Sequence, residues 1–528
     1  MICVVRDSPA STRRSPDAGH VGARQYSAMD RRQFVVASAA GLASLTSRSA
    51  FVDRGRLVRV SDVRRPLAQA PLRMPDTVSP DGLTLRAAVR RVEIAPGVRV
   101  QVWSPGDGPV GPTIRVRTGD TARITLENAL NEPTILHWHG LRVPEIADGH
   151  PRLVIPTGGT YQYEFPVIDR AGTYWYHAHP HHRTGVQTYR GMAGLLLISD
   201  ADEDALGLPS GEHELPLLIQ DKRLPSDGTF AYEPAMFEQM EGFFGDTAYV
   251  NGVRLPSKSV ETTTYRVRVV NGSTSRILRL ALSNGQPMTL IGNDGGLLPA
   301  PVSLTHIDMG TGERVDLLID FGQAAVGSRV TLTSAVFESP ARMGNMVTGG
   351  GISGMGRAGA GALAQGARME LVEFTVDRAV TPMAWKPRAF PRVATLDPPT
   401  AKRTAKRTRI FQFNSAMMQH DINGRTFDME RIDETVRFGD TEVWTFVNES
   451  PFPHPVHMHA VQFQVIERLG GRARIMPWER GFKDTVLVYP GERVSVAAAF
   501  DRYRGRFLMH CHNMVHEDMG MMMNYAIV

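Results

Sequence analysis

The sequence predicts an all-β chain built as three successive β-sandwiches or barrels. Three observations carry that expectation: strand-length segments in which apolar and polar residues alternate, turns of Gly, Pro and Asn throughout, and one strand-turn-strand unit that occurs twice. TIRVRTGDTARITLEN (Thr113 to Asn128) and TVRFGDTEVWTFVNES (Thr435 to Ser450) each read as two half-buried strands around a Gly-Asp turn. The chain has 528 residues, room for about three domains at roughly 150 residues each. Its 50 Gly and 35 Pro favour turns over long helices, and 42% hydrophobic with 21% charged residues is the balance of a globular protein.

The first element is a leader. Residues Met29 to Phe34 read MDRRQF, and the apolar run VVASAAGLASL follows with no charge until Arg48. This pattern resembles a twin-arginine export signal. The uncharged stretch is shorter than the roughly 20 residues that span a bilayer, so no membrane span is expected. Residues 1–50 are therefore expected to be a signal with an upstream extension, Met29 the true start and the cleavage region near Ser49 and Ala50. The expected partner is the twin-arginine machinery, and the destination is the periplasm, the cell surface or the medium. The net charge of +5 owes much to this segment, where seven Arg face three Asp; without it the charge is about +1, and nothing points to nucleic acid. Only Cys3 and Cys511 occur, which rules out a disulfide framework.

The first and third domains, expected at 75–205 and 410–528, are internal homologues. Gly119, Asp120, Thr121, Asn128, His137 and His139 recur 320 positions on as Gly439, Asp440, Thr441, Asn448, His457 and His459. Gly172, Tyr174, His177 and His179 match Gly505, Phe507, His510 and His512 at an offset of 333. The middle domain, expected at 206–380, has Asn271 in YRVRVVNGS where its neighbours have Asn128 and Asn448; counting on by the same nine and eleven residues lands on Leu280 and Leu282. It keeps the fold and lacks the histidine pair. A basic, Pro-rich stretch from Thr381 to Arg409 reads as a solvated linker before the third domain.

Four His-x-His pairs follow: His137 and His139, His177 and His179, His457 and His459, His510 and His512. On a strand, residues i and i+2 share a face, so each pair offers two imidazoles to one place, a geometry suited to metal. In HCH the intervening Cys511 must face the other way and serve a different metal. Two His, one Cys and a weak axial Met make the blue-copper pattern, and HPVHMH and HCHNMVHEDMGM supply His454, Cys511, His516 and Met521. At the same offsets the first domain has Thr134, Ala178, Arg183 and Thr188, so the whole site is present in one copy and absent from the other.

HWHG, YWYHAH, HPVHMH and HCHNMVHEDMGM resemble the signature segments of three-domain bacterial multicopper oxidases, the laccase and cuprous oxidase group, and PEIADG, QDKRL, NDGG and FKDTV extend the resemblance from about residue 80 to Val528. The resemblance implies three cupredoxin-like Greek-key domains and four coppers per chain. It places type 1 copper on His454, Cys511, His516 and Met521, and type 2 on His137 and His457. One type 3 copper falls to His139, His177 and His512, the other to His179, His459 and His510. It implies oxidation of a small reductant, phenols or aromatic amines with Cu(I) as the alternative, coupled to reduction of O2 to water by a monomer. Electrons are expected to enter at an exposed edge of His454 and pass through Cys511, while Asp148 and Glu517 match the family's acidic positions and would supply protons.

Two features bear on the donor. Cuprous oxidases carry Asp and Met four and two residues before the first type 1 His; here Ser450 and Phe452 stand there, and Phe452 is expected to offer a ring on which a phenol stacks. Met343, Met346 and Met355 sit in a Gly-rich segment that reads as a loop. A metal-free envelope scaffold of the same fold would lack ligands, and none of the twelve is missing. A copper nitrite reductase would have two domains and no trinuclear cluster.

Overall fold

The computed structural model describes residues 70–223, 228–339, 362–381, 385, 390, 398–416 and 419–528. The leader and the segment bearing Met343, Met346 and Met355 lie outside these residues, as does part of the stretch read as linker. The described chain forms six sheets in three facing pairs. The first pair has five and four strands and spans Thr77 to Ser199; the second has seven and five, from Glu214 to Arg378; the third has five and five, from Arg407 to Ile527. Each pair closes over its own apolar core, around Leu126 and Trp138, Leu290 and Leu317, and Phe446 and Val496. These are three cupredoxin-like domains.

The repeated Gly-Asp turn has a specific task. Thr113–Arg117 belongs to the five-stranded sheet and Thr121–Asn128 to the four-stranded one. The turn at Gly119, φ +99°, therefore carries the chain from one sheet to the other instead of closing a hairpin. Gly439 does the same between Glu434–Val436 and Thr441–Asn448.

A second signature is an asparagine clasp at the end of the following strand. Asn128 Nδ2 donates to the carbonyls of Glu132 and Ile155 while its Oδ1 accepts the Leu130 N–H; Asn448 repeats this with Phe452, Val488 and Ser450. Asn271 repeats it with Arg276, Met309 and Ser273, so the middle domain is a third copy. Its turn is one residue longer, since Asn271 reaches the carbonyl five residues on where the others reach four. The count to Leu280 and Leu282 is corrected accordingly. His454 stands opposite Val488 and Leu278 opposite Met309, so His457 corresponds to Ala281 and His459 to Ser283. Leu280 and Leu282 point into the core, and the copy still lacks a histidine pair.

The linker expectation also changes at its end. Pro398–Thr404 is a short helix, and a strand begins at Arg407. Arg409, counted in the solvated charge run, is buried, with Nε donating to Glu442 at 2.6 Å and a further ion pair to Glu434.

Candidate metal centre

The four histidine pairs sit at strand ends. His137 and His139 lie on Leu136–His139, and His177 is the penultimate residue of Gly172–Ala178 with His179 just beyond; His457 and His510 stand opposite one another where Val456–Met458 pairs with Met509–Cys511. Every one of the eight rings is at most 1% exposed. Nitrogens of His137, His457 and His459 gather in one group, those of His139, His177 and His512 in a second, and those of His179, His459 and His510 in a third. His459 belongs to two groups, but its Nε2 lies 3.1 Å from His510 Nε2, while His137 and His457 face each other Nε2 to Nε2 at 3.3 Å.

The outer nitrogens explain the aim of the inner ones. His137 Nδ1 donates to the Asp148 carbonyl at 2.6 Å, His457 Nδ1 to the Asp484 carbonyl at 2.9 Å, and His459 Nδ1 to Asp148 Oδ2 at 2.7 Å. His177 and His510 donate Nδ1 to backbone carbonyls, and His139 donates Nε2 to Asp484 Oδ1 at 3.0 Å. With those protons spent outward, the inward nitrogens are bare lone pairs. They nevertheless face one another at 3.3 Å between His137 and His457, 3.1 Å between His459 and His510, and 3.4 Å between His139 and His177. Opposed lone pairs at such distances call for a cation between them. Burial, reinforced by neighbouring imidazoles, holds His139, His177, His179, His459 and His512 well below the ordinary imidazole value and lowers His457 to about 4, so these rings are neutral, as ligands must be.

Gly149 makes the Asp148 contact possible. It has φ +80°, and a Cβ there would collide with the Leu136 carbonyl, so only glycine lets the turn lie against the His137 strand. Tyr525 donates its hydroxyl to the His459 carbonyl, and Trp175 packs its ring 4.4 Å from that of His177. Trp138 and Tyr176 are core residues of the first domain.

Cys511 faces away from this cluster, as its place in the strand requires. Its Sγ lies 3.4 Å from His454 Nδ1 and 3.7 Å from His516 Nδ1, and the two nitrogens are 3.2 Å apart. Met521 is buried beside them, its carbonyl accepting the Cys511 N–H and its own N–H donating to the His516 carbonyl. Burial pushes the Cys511 thiol up, against the Asn513 N–H that would lower it, so ionisation needs a bound cation. Thiolate, imidazole and thioether together suit copper. Two neighbours complete the triangle's surroundings: Ser450 Oγ lies 2.7 Å from His454 Nε2, and the His420 ring, which no spacing in the sequence pointed to, stacks on His516 at 4.1 Å.

Two expectations about access are overturned. His454 has no exposed edge, being 0% exposed under Ser450 and Phe413, and Phe452 is 1% exposed, so it presents no open face to a phenol.

Both predicted carboxylates reach the cluster. Asp148 approaches His459 and His137, and Glu517 Oε2 lies 3.2 Å from His510 Nδ1, with Oε1 3.5 Å from His179. Burial would raise the Glu517 carboxyl, but His510 and His179 outweigh it and hold the group well below the usual range.

A thiol-bearing triangle joined through adjacent residues to an eight-imidazole cluster is the layout of a copper redox protein. Comparison with known proteins makes the family definite. The multicopper oxidase family is matched in three places, residues 87–203, 225–347 and 399–528. A laccase of Bacillus subtilis is 29% identical over 78% of this chain and 87% of its own, and the cell division protein FtsP of Escherichia coli is 32% identical over 80% and 84%. The crystal structure of the multicopper oxidase McoA from Aquifex aeolicus is similar with a TM-score of 0.75 and 33% identity, over 87% of this chain and all of that one. The chain belongs to the multicopper oxidases, oxidoreductases that use O2.

Proposed function

We propose that the protein couples one-electron oxidation of a small reductant, phenols or aromatic amines in the laccase manner, to four-electron reduction of O2 to water. The observation that carries this reading is the complete donor set, with Cys511 of the triangle flanked in sequence by His510 and His512 of the cluster. His454, Cys511, His516 and Met521 would hold one copper and the eight paired histidines three more, which when bound would supply one-electron acceptance at the thiol and O2 reduction at the imidazoles.

Cys511 links the two places by a few covalent bonds through its backbone to either histidine. Ser450 and the Met240 carbonyl, 3.0 Å from His516 Nε2, orient the two imidazoles of the triangle. Asp148 and Glu517 hold and pass protons, each from within hydrogen-bonding reach of a cluster histidine.

The closed His454 ring favours a second donor, Cu(I), which is small enough to act without stacking on that ring. A scaffold role, suggested by the similarity to a cell division protein, is weighed down by the intact donor set. The reading includes domain limits of 75–205, 206–380 and 410–528, a monomer, and export by the twin-arginine machinery; among the described residues no helix is long and apolar enough to cross a membrane. One copper-loaded sample given a diphenol, a dimethoxyphenol and Cu(I) in turn tests it by O2 uptake. Phenol turnover supports the laccase-like reading, preference for Cu(I) the second, and no uptake with any donor rejects both. Replacing Arg31 and Arg32 by Lys should retain the protein in the cytoplasm; normal export rejects the signal.

A further inference from the structure

We propose that Arg314, contributed by the middle domain that has no histidine pair, is a positioning residue for the imidazole cluster. The inference rests on the reading of that cluster as the copper site.

Arg314 is 0% exposed and opens the strand Arg314–Asp320. A guanidinium has five N–H donors, and here each has a carbonyl or carboxylate oxygen. Nε donates to the Thr173 carbonyl at 3.1 Å in the first sheet pair. One terminal nitrogen donates to the Gly312 carbonyl at 3.1 Å and Asp484 Oδ1 at 2.7 Å, the other to the Asp294 carbonyl at 2.9 Å and Asp484 Oδ2 at 2.5 Å. The side chain thus ties together backbone from the first and second sheet pairs and grips one carboxylate of the third in two-pronged fashion.

That carboxylate is the one that aims two of the rings. Asp484 Oδ1 accepts from His139 Nε2 at 3.0 Å and from the Thr485 hydroxyl at 2.9 Å, and the Asp484 carbonyl accepts from His457 Nδ1 at 2.9 Å. His139 and His457, one from each outer domain, stack at 3.8 Å and 11°. The turn before Arg314 reaches the rings as well. Gly312 has φ +84°, and a Cβ there would stand 2.9 Å from His139 and 3.0 Å from His512; Thr311 donates to the His512 carbonyl at 2.5 Å.

A carboxylate left without Arg314 would be free to rotate, and His139 with it, moving a lone pair away from the common centre. Partners that orient ligands in this way are typically worth about 10- to 100-fold in metal affinity. A lysine could supply charge but only one prong.

The test is copper titration of metal-free wild type, Arg314→Leu and Arg314→Lys, reading the type 2 electron paramagnetic signal for the cluster and the blue absorption for Cys511. Arg314→Leu is expected to weaken copper binding at the cluster about 10- to 100-fold, with an unchanged blue band, and Arg314→Lys to fall between it and wild type. Wild-type cluster affinity in both variants overturns the proposal. So does joint loss of the blue band and the cluster signal in Arg314→Lys, which would mark a general structural role. If Arg314→Leu does not fold, the Lys variant decides on the same two signals. A wild type that takes no copper at the cluster rejects the underlying copper reading instead, and is distinct from either outcome.

Discussion

The first and third domains share the sheet-crossing turn, the asparagine clasp and two histidine pairs, yet the third holds a thiol site and the first fills the corresponding place with a hydroxyl, an amide and the Arg183–Glu132 ion pair. Where the third domain has His454 the first has Thr134, whose hydroxyl donates to Gln187 Oε1 at 2.7 Å; Gln187 Nε2 in turn donates to Glu132 Oε1 and to the Pro133 carbonyl. Both residues are 0% exposed. A buried polar void is thus closed in one copy by an amide and a hydroxyl, and in the other by groups whose lone pairs converge. The fold tolerates either content because the clasp that shapes the end of the barrel meets it only through a side chain at its margin, Glu132 on Gln187 in one copy and Ser450 on His454 in the other.

Four experiments break or sharpen that comparison. The largest effect is expected for Cys511→Ser, which removes the soft donor the first domain never had: the blue absorption should vanish while the type 2 signal stays. A blue band that survives would mean the thiol is no ligand. Next, each outer domain gives the cluster one carboxylate, and Asp148→Asn and Glu517→Gln should each keep copper and the blue band but slow reoxidation by O2 roughly 10²- to 10⁴-fold. Reoxidation at the wild-type rate in both would make these carboxylates structural.

The third effect concerns pH. Rings whose folded-state value is lowered bind protons only in the unfolded chain once pH falls below the free imidazole value of about 6.5. Stability of the metal-free protein should therefore fall from there down to about 4, where folded His457 itself titrates. Each such ring contributes at most about 1.4 kcal/mol per pH unit. Urea midpoints that stay constant over this window would contradict the neutral, buried cluster. The smallest effect is expected in the first domain. Thr134→Val strands Gln187 Oε1 and should cost about 1–3 kcal/mol in urea unfolding, with no change in the blue band; a changed band would show that the two regions are not independent.

Much of this was legible because metal ligands come in fixed types at strand spacing. The i, i+2 rule placed His510 and His512 on one face and Cys511 on the other, and the offsets of 320 and 333 paired the domains. What spacing does not encode is contact across domains. Asp484 stood within a family motif, but nothing in the sequence joins it to Arg314, 170 residues away. A one-residue difference in the turn after Asn271 moved the counted positions by one, since counting assumes loops of equal length. The exposure of His454 failed for a similar reason: Ser450 and Phe413 close over it through the tertiary fold.

The Cys511 thiol, deep in the third core and pushed toward its protonated form, also bears on how the protein survives before it is metallated. Oxidative damage and alkylation both begin with an accessible thiolate. Among the described residues this is the free cysteine, and it is 0% exposed. The folded, metal-free chain therefore shields this sulfur from oxidants, and binding of a metal by the thiol would release a proton.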